Sequence, residues 1–121
     1  MAKVWAHKAR VMIAGLGAAL VRAMRANGRP LRFIVGRDTR ESGEWIEREL
    51  ARGVRSEGAE ITSAGVIPTP AVAYVAREMA FDAGLVISAS HNPFEDNGIK
   101  VFSGRGEKFT ETLEQQVALP L

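Results

Sequence analysis

Cysteine is absent from all 121 residues, so disulfides and thiolate metal sites are excluded and oxygen and nitrogen groups must carry any chemistry. That usage suits a reducing compartment, and a cytoplasmic location is expected. The chain also lacks a block of one charge. Its 16 lysines and arginines stand against 14 aspartates and glutamates, a net charge of +2. The charges between Glu44 and Arg55 alternate in sign at helical spacing, as on a solvated helix face, so no nucleic-acid partner is expected. Long apolar runs are missing too. The best of them, Val11 to Val21, is broken by Gly15 and Gly17 and falls well short of the roughly 20 residues that span a bilayer. Lys3, Lys8 and Arg10 precede it in the manner of a signal peptide. The spacing of Ile13, Leu16, Leu20 and Met24, with a stop at Asn27-Gly28 and Pro30, fits an amphipathic domain helix better. No membrane partner is expected.

What is present fits one layered α/β domain over residues 1–121, with 46% hydrophobic content to build a core. Leu31 to Val35 has the pattern of a strand, Glu41 to Ser56 that of a helix capped near Asp38 or Ser42, and Glu60 to Ser63 that of a second strand, together a β-α-β unit. Val66-Ile-Pro-Thr-Pro70 predicts a rigid turn, with Pro70 opening a helix on which Val72, Val75, Ala76 and Met79 trace one face. A strand over 84–88, a loop, a returning strand over 99–102, a turn at Gly104-Arg-Gly106 and a last helix over 110–117 complete the pattern. The sheet is predicted to be mixed and mostly parallel, with helices on its faces. Trp45 is read as core or interdomain packing, and His7 as exposed and idle.

The loop between the last two strands concentrates the reactive groups. Ser90 follows an apolar strand, at the carboxyl edge where open α/β sheets bind ligands. Asn92-Pro93 prevents helix or ladder, and Asn97-Gly98 turns the chain back so that Lys100 returns toward Ser90. A serine hydroxyl is a weak nucleophile unless a base takes its proton or it already carries phosphate. A phosphoryl group there would add about 1.5 to 2 negative charges, which His91, Lys100 and loop amides could stabilise. Ser90, His91 and Asn92 could equally do no more than satisfy turn backbone groups. Spacing alone leaves both readings open. Arg37 and Asp38, just past a strand, are secondary candidates for reaching a phosphate or bracing this loop, with strand-end ion pairing the plainer reading.

Three stretches in order, Val35-Gly-Arg-Asp-Thr-Arg-Glu-Ser-Gly43, Gly65-Val-Ile-Pro-Thr-Pro-Ala-Val-Ala-Tyr74 and Ser88-Ala-Ser-His-Asn-Pro93 with Asp96-Asn-Gly-Ile-Lys100, resemble the first domain of the α-D-phosphohexomutases. The wording is nearest that of bacterial phosphoglucosamine mutases. The resemblance implies that Ser90 is the phosphoserine that gives phosphate to a hexose phosphate and recovers it from a hexose bisphosphate, moving it between the 6- and 1-positions. It also implies that Lys100 is the general acid or base, and that His91 helps hold the loop and the transferring group. Ser88, Asn92 and Pro93 would shape the loop. Magnesium would be bound through the phosphate of Ser90, but the family completes that site with an Asp-Gly-Asp-x-Asp-Arg loop in its second domain. Here only Asp38, Asp82 and Asp96 occur, far apart in sequence. The family's opening Gly-Thr-Asp-Gly-Ile-Arg-Gly strand, with its arginine, has no counterpart in Met1-Ala-Lys-Val-Trp5. The second, third and fourth family domains are likewise not represented. The expectation is a phosphoserine-bearing domain that is inactive alone and partnered by the missing mutase domains or a full-length mutase. A non-catalytic remnant or phosphate-binding module is the alternative.

Overall fold

The computed structural model describes residues 2–25, 30–38, 43–88 and 99–104. Ser90, His91, Asn92, Pro93, Asp96 and the helix expected over 110–117 lie outside them. In chain order the elements are α1 (Ala2–Met24), β1 (Arg32–Arg37), α2 (Glu44–Ser56), β2 (Glu60–Val66), α3 (Thr69–Glu78), β3 (Ala83–Ile87) and β4 (Ile99–Ser103). The strands form one sheet in the order β2-β1-β3-β4. β1 pairs parallel with both β2 and β3, whereas β4 runs antiparallel to β3. The mixed, mostly parallel sheet expected from the sequence is therefore present. The described chain begins in helix α1. No helix among the described residues is long and apolar enough to cross a membrane.

The strands bury alternate residues on opposite faces because side chains project with a period of two. Phe33, Val35, Leu85, Ile87 and Val101 meet Leu16, Leu20, Leu50 and Val54, so α1 and α2 cover one face. Ile34 and Val86 meet Val72, Ala76 and Phe81, so α3 covers the other. All five residues of β3 are buried, as expected for an inner strand between β1 and β4 with helices on both faces.

Glycine sets the closest approaches. A Cβ on Gly36 would stand 2.8 Å from Val72 Cγ2 and one on Gly84 3.1 Å from Val72 Cγ1, so two adjacent strands leave a shallow seat for α3. The α1–α2 crossing is tighter still, because a Cβ on Gly17 would lie 2.5 Å from the Leu50 carbonyl oxygen.

Several boundaries differ from those expected, each for a local reason. α2 starts at Glu44 behind Gly43, which has no side chain to cap it, instead of at Glu41. Glu44 and Glu47 in its first turn supply the negative charge that a helix N-terminus favours. β2 runs on to Val66 because a bulge absorbs one residue. Pairing proceeds from Val35 with Ser63 to Gly36 with Gly65, skipping Ala64, and Gly65 takes a φ of 73°. Pro68 is the residue preceding α3, and Pro70 is its second helical residue instead of its first. Either place suits proline, since first-turn amides have no helical partner. α1 extends back through Lys8 and Arg10 to Ala2.

Candidate phosphoryl-transfer edge

The carboxyl ends of β1, β2 and β3 and the start of β4 lie together, with the N-termini of α2 and α3 following β1 and β2. The Asp38 amide donates to the Ile87 carbonyl at 3.1 Å, and the Ile67 amide to the Arg37 carbonyl at 2.8 Å, extending the sheet's bonding past the strand ends. Ile87 stands opposite Ile99 across the β3–β4 ladder. The chain from 88 to 98 thus leaves and rejoins the sheet at adjacent positions. This is the segment that contains Ser90 and His91.

Lys100 belongs to the next rung, opposite Val86. Residues directly opposite in an antiparallel pair share a face, so Lys100 shares the α3 side with Val86, and it is exposed. Arg37 occupies the other side. Its side chain, only 12% exposed, has Nη1 3.9 Å from Glu44 Oε1 and Nε 3.6 Å from Glu47 Oε1. Glu47 Oε1 also accepts the Ser63 hydroxyl at 3.1 Å, while Ser63 Oγ accepts the Gly65 amide at 3.2 Å. Arg37 therefore joins a chain of polar contacts from the first turn of α2 to the bulge of β2. The sheet divides the two basic candidates, with Lys100 on the α3 face and Arg37 on the α2 face, and ion pairing accounts for Arg37. Sequence spacing carried a signal for this: glutamates three apart in the first helical turn, shortly after a strand-end arginine.

A cleft of about 380 Å³ runs between α2 and β2, lined by Arg37, Glu47, Arg48, Arg55, Ile61 and Ser63 among others. It opens on the Arg37 side of the sheet and is not where Lys100 lies. The exposed large apolar side chains among the described residues, Val11, Val66, Tyr74 and Met79, are spread over several elements. Only Val66 belongs to the carboxyl edge. His7 is exposed, as expected, and Trp45 is half-buried at the start of α2.

The described carboxylates do not suit a magnesium site. Asp38 follows β1 at the carboxyl edge, whereas Asp82 precedes β3 at the opposite end, where its Oδ2 accepts the Arg32 amide at 2.7 Å. No three His, Cys, Asp or Glu side chains come together among the described residues. A hard cation needs near-octahedral oxygen donors, and Asp38, Glu44 and Glu47 at this edge form no such cluster among the described residues. Sequence alone carried no sign that Ser88 Oγ is buried without a hydrogen-bond partner among the described residues.

Residues 7–119 match the family model for phosphoglucomutase/phosphomannomutase, alpha/beta/alpha domain I. Among curated proteins, the chain is similar to a phosphoglucosamine mutase of Koribacter versatilis, 50% identical over 102 residues that make up 84% of this chain and 21% of that protein. It is also similar to one of Deinococcus deserti, at 46% over 105 residues, covering 87% of this chain and 24% of the relative. A solved phosphoglucomutase/phosphomannomutase family protein from Burkholderia thailandensis superposes with a TM-score of 0.71 at 28% identity, over 89% of this chain and 25% of its own. A structure from Thermus thermophilus gives 0.73 at 24% identity over 88% of this chain and 24% of its own, a likeness of fold. The chain thus spans between a fifth and a quarter of the length of these relatives. Matched over nearly its whole length and built as the same α/β/α unit, the chain belongs to the phosphoglucomutase/phosphomannomutase family, as domain I of its phosphoglucosamine mutase-like members.

Proposed function

We propose that this chain is the phosphoserine-bearing domain of a cytoplasmic hexose phosphate mutase, with Ser90 as the group that carries the phosphate. The observation that supports this most is the pairing of Ile87 with Ile99, which returns the Ser90 segment to the carboxyl edge one residue before Lys100. In the forward step a sugar hydroxyl oxygen forms a bond to phosphorus while the bond from phosphorus to Ser90 Oγ breaks. The hydroxyl proton is relayed by the amine of Lys100 to the departing serine oxygen, which leaves as the hydroxyl. The resulting hexose bisphosphate reorients, and the reverse step moves its other phosphate to Ser90. His91 holds the loop and the transferring group. Catalysis of this kind rests on positioning and on compensating charge, so it needs a closed site around both sugar and phosphate. The relatives' length leaves room for domains that would supply that enclosure, a sugar site and the carboxylates for magnesium. No step is assigned to the metal here, because the described donors do not suit it.

The test is transfer of radiolabelled phosphate from a hexose bisphosphate to the chain. Label should appear on the wild type, vanish in Ser90→Ala and form more slowly in Lys100→Ala. Equal labelling of Ser90→Ala would remove Ser90 from the mechanism.

A further inference from the structure

We propose that the cleft between α2 and β2 binds an elongated dianion with a hydroxylated body, the chemistry of a sugar bisphosphate. The site goes beyond the phosphoryl-transfer reading, because it is built on the α2 face of the sheet, whereas Lys100 shares the α3 face with Val86. Its walls come from β1, α2 and β2, and every residue lining it is among those described. At about 380 Å³ it has the size of clefts that hold small metabolites.

The charges say what it would hold. Three arginines and two glutamates line the cleft, so positive charge is in excess. Both glutamates approach Arg37 at the carboxyl end, Glu44 at 3.9 Å and Glu47 at 3.6 Å. Arg48 and Arg55 are exposed along the α2 wall. Seven residues apart in one helix, they lie within about 20° of the same face and about 10.5 Å apart along the axis. Arg55 reaches the start of β2, where its Nη2 donates to the Ile61 carbonyl at 3.4 Å, so its guanidinium stands at the far end of the cleft from Arg37. Two guanidinium stations separated in this way suit a molecule with an oxyanion at each end, since each planar fork can bind a phosphate through paired hydrogen bonds. Beside Arg48, Glu47 brings a carboxylate whose Oε1 meets Arg37 and the Ser63 hydroxyl. A carboxylate accepts about four hydrogen bonds, so Glu47 can also take hydroxyls of the ligand body. Val35, Ala51 and Ile61 are buried beneath these groups and close the floor.

The experiment is calorimetric titration of the full chain at low salt with fructose 1,6-bisphosphate, and with fructose 6-phosphate as the one-ended comparison. The bisphosphate should bind at least about fivefold more tightly than the monophosphate, because only it meets both stations. Arg48→Ala and Arg55→Ala should each weaken the bisphosphate about five- to tenfold, the size of one charge-assisted contact at an exposed site. Arg48→Lys, which keeps the charge and loses the fork, should fall between Arg48→Ala and the wild type. Arg77→Ala, exposed on α3, and Lys100→Ala should leave the affinity within about twofold. Urea unfolding of each variant separates lost contact from lost fold, and Arg48, exposed on α2, tests the site even if Arg55→Ala unfolds through its bond to Ile61. No binding of the bisphosphate, equal affinity for the two probes, or equal weakening by Arg77→Ala overturns the proposal. So does binding lost in Lys100→Ala and kept in both alanine variants of the α2 arginines, which would assign the probe to the phosphoryl-transfer edge.

Discussion

Gly53→Ala should destabilise this protein, although glycine to alanine inside a helix ordinarily stabilises by about 1 kcal/mol. Gly53 is buried in the middle of α2 where α1 crosses it. A Cβ added there would overlap the Ala14 carbonyl oxygen and come within 2.9 Å of Ala14 Cα, all of it backbone that cannot rotate away. Restoring the 3.4 Å of ordinary contact requires α1 and α2 to part by more than about 1 Å. Parting them loosens Leu16 and Leu20 from Leu50 and Val54, which are buried together beneath the crossing. Overpacking typically costs 1–3 kcal/mol, and contact with rigid backbone belongs at about the upper end of that range. Set against the propensity gain, the net loss is about 2 kcal/mol. The melting temperature should then fall by roughly 5–15 °C. Urea unfolding followed by circular dichroism measures it, with Arg48→Ala, exposed on the same helix, as a control expected within about 0.5 kcal/mol of the wild type. A Gly53→Ala chain as stable as the wild type would refute the close crossing.

Other perturbations separate structure from chemistry. Lys100→Ala should slow phosphate transfer about 100-fold or more, yet leave urea stability nearly unchanged because the side chain is exposed; comparable losses in both would make Lys100 structural. Gly65→Ala should cost about 1–2 kcal/mol through its φ of 73° alone, since no atom lies within 4 Å of an added Cβ. A neutral Gly65→Ala in chemical unfolding would show that the bulge tolerates a side chain. The 121-residue chain by itself should give no hexose phosphate turnover in a coupled assay, because enclosure and positioning are missing; steady turnover would contradict that dependence.

Periodicity made the layered fold legible. The three- and four-residue steps of Leu16, Leu20 and Met24, and the apolar run before Ser88, follow directly from burial on one helix face or in an inner strand. Boundaries set by tertiary pairing were less visible. Gly65 and Val66 have the look of a turn, and only the bulge against Gly36 and Arg37 keeps them in the sheet. The start of α2 at Glu44 behind Gly43, three residues later than the charge pattern from Glu41 suggested, was not legible in spacing, although Glu44 and Glu47 in its first turn were. The chemistry-bearing types at the edge were plain from the sequence, whereas their distribution between faces was not. That distribution depends on the register that sets Lys100 against Val86 and on the parity that turns Arg37 toward α2. The close approach of Gly17 and Gly53 to backbone of the facing helix likewise exists only in three dimensions.

Intact-mass spectrometry with site mapping, on the chain as purified and after incubation with magnesium and a hexose bisphosphate, tests the central claim most directly. The account predicts a single phosphate confined to Ser90 and its loss in Ser90→Ala. Phosphate on another residue, or the same phosphate retained in Ser90→Ala, would contradict Ser90 as the carrier.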